Sequence, residues 1–184
     1  MRRISQDSQV KRMRVKFMKL EAAELLANQI VHSIEHLCDF GKVMVAGSIR
    51  RKRPEVHDID IVLIPQAWMW NTTIQKLKTN WLAEVVEAGQ ELARLMVPTG
   101  ATSEPVQVDI YRARPETWGV LLLIRTGSIE HNIKLCSRAR SMNMMLSAAK
   151  GVIKDGKVIA RGTEEEIFQA LQMDYVIPEQ REVS

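Results

Sequence analysis

Cysteine is nearly missing from this chain of 184 residues: only Cys38 and Cys136 occur, and their separation matches no zinc-ligand spacing. Inert or buried thiols in a reducing compartment are the expectation. No apolar run approaches the roughly 20 residues that span a bilayer. The basic N-terminus, MRRISQDSQVKRMRVKF, is not followed by the apolar core of a signal peptide. Internal repeats and low-complexity linkers are absent as well. These absences argue against a membrane partner and place the chain in the cytoplasm by expectation; a monomer is the expected state.

What is present is an ordinary globular composition, 46% hydrophobic, with a formal net charge of +4. The cations are clustered in Arg2 to Lys19, Arg50 to Arg53 and Lys134 to Arg140. Such clustering fits a polyanionic partner better than an evenly solvated surface does.

Helical spacing of Ala22, Leu26, Ile30, Ile34 and Leu37 predicts an amphipathic helix over 18–37. Strands are expected at 42–46, 58–64, 92–97 and 106–112, and a helix over 68–88 with Trp81, Leu82, Val85 and Val86 inward. Beyond Pro115 two short helices flank Thr126-Gly127. A hairpin turns at Asp155-Gly156, and a helix capped by Thr163 with Glu166 reaches about Met173. The expected fold class is α+β, a mixed β-sheet with flanking helices followed by a smaller α/β unit.

The chemistry concentrates in GSIRRKRPEVHDIDIVLIP, residues 47–65. Side chains alternate along a strand, so Asp58 and Asp60 share one face while Ile59, Ile61 and Leu63 enter the core. Two carboxylates so placed repel one another unless a cation lies between them, and hard oxygen donors favour Mg²⁺ or Mn²⁺. Asp109, in PVQVDIYRA, repeats the pattern. If its strand neighbours the first, three carboxylates meet in a two-metal arrangement. Gly47-Ser48 offers close backbone N–H groups and a hydroxyl to phosphate oxygens, and Arg50 and Arg51 add paired donors. HSIEH, residues 32–36, fits a zinc-protease pattern, but its histidines fall on the polar stripe of the first helix and are expected to be solvated.

These residues, together with VQVDIYRARPETWGVLLLIRTGSIEHNIKL and EEEIFQALQMDYVIPEQRE, resemble the family X DNA polymerases, the group that includes DNA polymerase beta. The resemblance implies a basic extension over 1–15, a nucleotidyltransferase-type palm over 16–114 and a nucleotide-binding thumb over 115–184. It implies that Asp58, Asp60 and Asp109 hold two Mg²⁺ ions, replaceable by Mn²⁺. Gly47, Ser48 and Arg51 would take the triphosphate, with Arg50 in support and Lys16 at the place of a phosphate-binding arginine. Thr126-Gly127 would bend under the sugar, and Asn132 would reach the base. Lys134, Arg138 and Arg140 would meet the DNA backbone. The activity implied is template-directed synthesis from deoxynucleoside triphosphates on gapped or primer-template DNA, in short-gap repair, by a reduced palm-plus-thumb enzyme. Alternatives are a template-independent terminal transferase, a small RNA- or protein-modifying nucleotidyltransferase and a non-catalytic DNA-end binding module.

Several positions depart from the family's pattern. Ile124-Arg125 replaces the Tyr-Phe that precedes the Thr-Gly bend and places Arg125 by the nucleotide; Cys136 replaces an arginine; LSAAKG lacks Asn-Glu-Tyr; His57 replaces a glycine beside the triphosphate. Low fidelity and loose sugar selection are expected from these changes.

Overall fold

A computed structural model describes residues 17–100 and 104–182, so the basic extension and Lys16 lie outside the described residues. The elements run β1 (Met18–Lys19), α1 (Leu20–Ile34), β2 (Cys38–Val45), α2 (Gly47–Arg50), β3 (Glu55–Val56), β4 (Asp58–Pro65), α3 (Trp70–Asn80), β5 (Glu84–Ala88), β6 (Leu92–Val97) and β7 (Val106–Arg112). Then follow α4 (Trp118–Thr126), α5 (Ile129–Ser141), β8 (Met144–Ser147), β9 (Gly151–Lys154), β10 (Lys157–Ala160) and α6 (Glu164–Ala170). The architecture is α+β, as the residue patterns predict.

A five-stranded mixed sheet of order β2-β4-β7-β6-β5 is the main platform, with β4 and β7 parallel at its centre. Ile59, Ile61 and Leu63 of β4 meet Ala23, Ala27, Ile30 and Ile34 of α1 and Trp70, Ile74 and Leu77 of α3 on one face. On the other face Val62, Ile64, Tyr111 and Ala113 pack against Trp118 and Leu122 of α4. Burial on both faces explains the unbroken apolar run of β4. A three-stranded antiparallel sheet, β10-β9-β8, forms a second core with α5 and α6, to which α4 contributes Val120 and Leu123. Helix α4 therefore has one face in each core.

The join between α4 and the segment before α6 is tight. Gly119 and Val120 donate their amides to the carbonyls of Gly162 (3.0 Å) and Arg161 (3.1 Å). A Cβ on Gly119 would stand 2.3 Å from Thr163 Cα. Thr163 and Glu166 form the expected capping box of α6.

Three expectations need correction. Helix α3 stops at Asn80: Leu82 takes φ 49°, outside helical geometry, and Val85 and Val86 join an edge strand instead. β-branched residues fit that pleated ribbon better than a helix interior. Leu82 and Val86 are exposed rather than inward. The fully buried stripe of α1 is Ala23, Ala27, Ile30 and Ile34; Ala22 is exposed, and Leu26 is half-buried against the same core. Strand β8 was not foreseen, since MMLS carries no β-branched signal. Cys38 is buried, which pushes its thiol up to about 11, and Cys136 is half-buried. No described helix is long and apolar enough to cross a membrane.

Candidate active site

The strand register assembles the candidate carboxylates. In the parallel pair, Asp60 stands opposite Asp109 and Asp58 opposite Gln107. On the far side of β7, Arg94 of β6 is the register partner of Asp109, and Glu87 of β5 is the partner of Arg94. A row of side chains, Asp60, Asp109, Arg94 and Glu87, thus crosses four strands on the face shared with α4. Asp58 and Asp60 are half-buried and Asp109 is 2% exposed.

Burial, then Asp58 and then Asp109, pushes the Asp60 carboxyl up to about 7. Burial and Asp109 also raise Asp58. This is the electrostatic signature of acids gathered for a cation. Asp109 is answered differently. Arg94 Nε and Nη2 donate to its two oxygens at 2.8 and 2.7 Å, Gln107 Nε2 lies 3.3 Å from both, and the Tyr111 hydroxyl donates at 3.3 Å. Among the described residues, no three Asp, Glu, His or Cys side chains converge to hold a metal ion as they stand.

The Gly-Ser element is a single helical turn, α2. Ala46 donates to the Asp60 carbonyl at 2.8 Å, which stitches the turn to β4. Gly47 has φ 57°, and a Cβ there would stand 2.0 Å from Asp60 Oδ2, so only glycine allows this approach. The Ser48 Oγ is buried and has no hydrogen-bond partner among the described residues. A buried hydroxyl left unpaired, one residue after the glycine packed on Asp60, is one a phosphate oxygen would satisfy. The donor set, all hard oxygens with an orphaned hydroxyl next to it, fits a divalent cation carrying a phosphate.

The arginines are placed by the chain's second half. Arg50 makes a fork with Glu164 (both bonds 2.8 Å) and donates to Thr126 Oγ1 at 2.7 Å. Glu164 is also held by Arg181, fully buried, at 2.8 Å, and by the Tyr175 hydroxyl at 3.1 Å. Burial would raise the Glu164 carboxyl, but the bonds from Arg50 and Arg181 outweigh it and hold the group down at about 2. Arg51 donates to Glu182 at 2.5 Å and to the Thr126 carbonyl. Both arginines therefore touch the Thr126-Gly127 bend, whose Gly127 has φ 72°.

Arg125 lies 4.1 Å over the Tyr111 ring, facing a cleft of about 730 Å³ bordered also by Leu121, Lys150 and Arg161. His57 is exposed and packs edge-on against Phe17. Asn132 donates to the Ile124 carbonyl at 2.8 Å, while its Oδ1 is buried with no partner among the described residues. Arg138 donates to the Leu171 carbonyl at 2.9 Å, while Lys134 and Arg140 are exposed on α5. In the HSIEH segment, His32 bonds Glu35 and His36 bonds Lys76. The row and the bend thus bring together Asp58, Asp60, Asp109, Gly47, Ser48, Arg50, Arg51, Arg125 and Thr126. They leave Lys134, Arg138 and Arg140 outside it, while His57 adjoins Asp58 and acts on its charge.

Sequence reasoning missed Arg94, Gln107 and Tyr111 around Asp109, and Glu164, Arg181 and Glu182 around the arginines. Alternation offered one signal: Arg94 sits between the inward Ala93 and Leu95 and so shares the carboxylate face. The carboxylate partners of Arg50 and Arg51 lie 114 and 131 residues away in the chain and leave no local pattern.

Residues 121–182 match the family model described as DNA polymerase beta thumb. That thumb-like unit covers α5, α6, the three-stranded sheet and most of α4. No curated protein matches the chain.

Proposed function

We propose that this chain is a nucleotidyltransferase of the DNA polymerase kind, which extends a primer 3′-hydroxyl from deoxynucleoside triphosphates and fills short gaps under template direction. In this reading residues 16–114 are the palm and residues 115–184 the thumb. The observation that carries it is the register of Asp60 against Asp109, with Gly47 packed against Asp60 and the orphaned Ser48 Oγ next to it in the chain, joined to a unit matching a polymerase thumb.

The reaction is in-line transfer: a 3′-oxygen attacks the α-phosphorus and pyrophosphate leaves. Two Mg²⁺ ions held by Asp58, Asp60 and Asp109 would neutralise the phosphates and lower the pKa of the attacking hydroxyl. The chain's own residues supply position. The α2 turn, with Ser48 and Arg51, orients the triphosphate, and the Thr126-Gly127 bend sets the sugar against the carboxylates. Arg50 acts indirectly, by pinning the bend to α6 through Glu164.

Primer extension on a one-nucleotide gapped duplex with Mg²⁺ tests the reading. Templated addition that falls by at least about 100-fold in Asp109→Ala is the expected result. Addition to blunt or overhanging ends without regard to the template base would move the assignment to a terminal transferase. Absence of transfer from folded, metal-binding protein on every DNA end would refute DNA as the acceptor. Equal use of ribonucleotides would tie the Ile124-Arg125 replacement to a relaxed sugar gate.

A further inference from the structure

We propose that Arg94 is a removable counter-ion on Asp109: the guanidinium and a divalent cation compete for the same carboxylate, and Glu87 receives the arginine when the cation binds. The proposal rests on the reading of Asp109 as a metal ligand.

An ionised carboxylate offers about four acceptor sites. Arg94 takes both Asp109 oxygens through a fork, and Gln107 and Tyr111 fill what remains. Of these partners only Arg94 is charged. A cation entering beside Asp109 therefore meets a like charge at bonding distance, and one of the two must leave.

Arg94 is built to leave. Its side chain is 36% exposed, while that of Asp109 is 3% exposed, so the arginine swings without opening the core. It stands in register between two acids on neighbouring strands, Asp109 on β7 and Glu87 on the edge strand β5. Glu87 is exposed and free of the core, and it acts on Arg94 in the same sense as Asp109 does. Asp58 and Asp60 form no salt bridge among the described residues. The row is thus asymmetric: two carboxylates carry no bonded cation, though Tyr111 hydrogen-bonds Asp60, and the third is covered by a group with a second station one strand away. An ion that needs only Asp58 and Asp60 binds first, and an ion that needs Asp109 binds weakly until Arg94 moves.

The test is Mn²⁺ binding to the full chain, without nucleotide or DNA, followed by electron paramagnetic resonance of the free ion and by calorimetry. Wild type is expected to show a tighter and a weaker site, with Asp109→Asn losing the weaker one. Arg94→Gln strengthens the weaker site by about tenfold or more, the scale on which partners of a ligating side chain alter metal affinity. Glu87→Gln weakens it. Arg94→Lys, which keeps the charge but not the fork, falls between wild type and Arg94→Gln and guards against a folding defect in the neutral variant. In extension assays the Mg²⁺ concentration for half-maximal rate moves in the same order.

Weaker-site affinity that is unchanged or lowered in both Arg94 variants, with Asp109→Asn still losing the site, overturns this proposal and leaves the catalytic reading standing. Mn²⁺ isotherms identical in wild type and Asp109→Asn overturn both.

Discussion

Replacing Glu164 by glutamine isolates the network that joins the two halves of the molecule. The substitution keeps the shape and removes one negative charge from between Arg50 and Arg181, the latter fully buried. The Glu164 carboxyl is held at about 2 against an ordinary 4.5. At 1.36 kcal/mol per unit, that difference corresponds to roughly 3 kcal/mol of folding stability. Loss of one partner of a buried pair costs on the order of 3–5 kcal/mol by independent comparison. A chain of this size should lose roughly 6–12 °C in Tm for 3 kcal/mol.

The sign with pH follows from the depressed value. Protons prefer the unfolded state, so the contribution of Glu164 is complete above pH 4.5 and is lost as pH falls from 4.5 towards 2. Urea unfolding of both proteins between pH 7 and 2.5 gives the assay. Wild type should lose stability more steeply in the acid window, and the difference between the two should shrink towards pH 2. Arg181→Met should cost less in the Glu164→Gln background than in wild type, with a coupling of at least about 1 kcal/mol. Equal stability at pH 7, or parallel acid limbs, would refute the reasoning.

Gly47→Ala forces a Cβ to 2.0 Å from Asp60 Oδ2 at φ 57°; extension should fall by about 100-fold or more while stability drops only ~1–3 kcal/mol, checked by gap filling and urea midpoints. Gly119→Ala meets three backbone atoms of Thr163 at 2.3–2.5 Å. It should destabilise by about 1–3 kcal/mol although alanine favours helix, and a raised midpoint would contradict the contact. Glu182→Gln frees Arg51 from a carboxylate at 2.5 Å. Equilibrium titration with a fluorescent triphosphate should show affinity rising up to about fivefold at low salt, and no change would remove Arg51 from the phosphate site.

Asp58, Asp60 and Asp109 were legible because a strand's two-residue period forces acids in an apolar run onto one face. The capping box at Thr163 and the turn at Asp155-Gly156 are likewise local, and both stand where the residues place them. What was illegible was set by the order of strands. Arg94 becomes the neighbour of Asp109 only because β6 lies beside β7, and Glu164 becomes the partner of Arg50 only because α4 draws α6 against α2. The error over residues 81–88 has the same origin. A helical period is present there, yet the vacant edge of β6 offers Glu84, Val85, Glu87 and Ala88 register partners, with Val86 at a bulge, that a helix continuing past Leu82 would forgo.

The amides of Gly119 and Val120, which end in the carbonyls of Gly162 and Arg161, bear on where this molecule can be divided. The thumb match begins at residue 121, two residues past Gly119 and inside α4. A piece excised at that point would leave both carbonyls bare and would take Leu122 out of the other core while leaving Trp118 behind in it. The excisable module begins earlier, near Pro115, and any transplant of this unit onto another scaffold must carry residues 115–120 as its root.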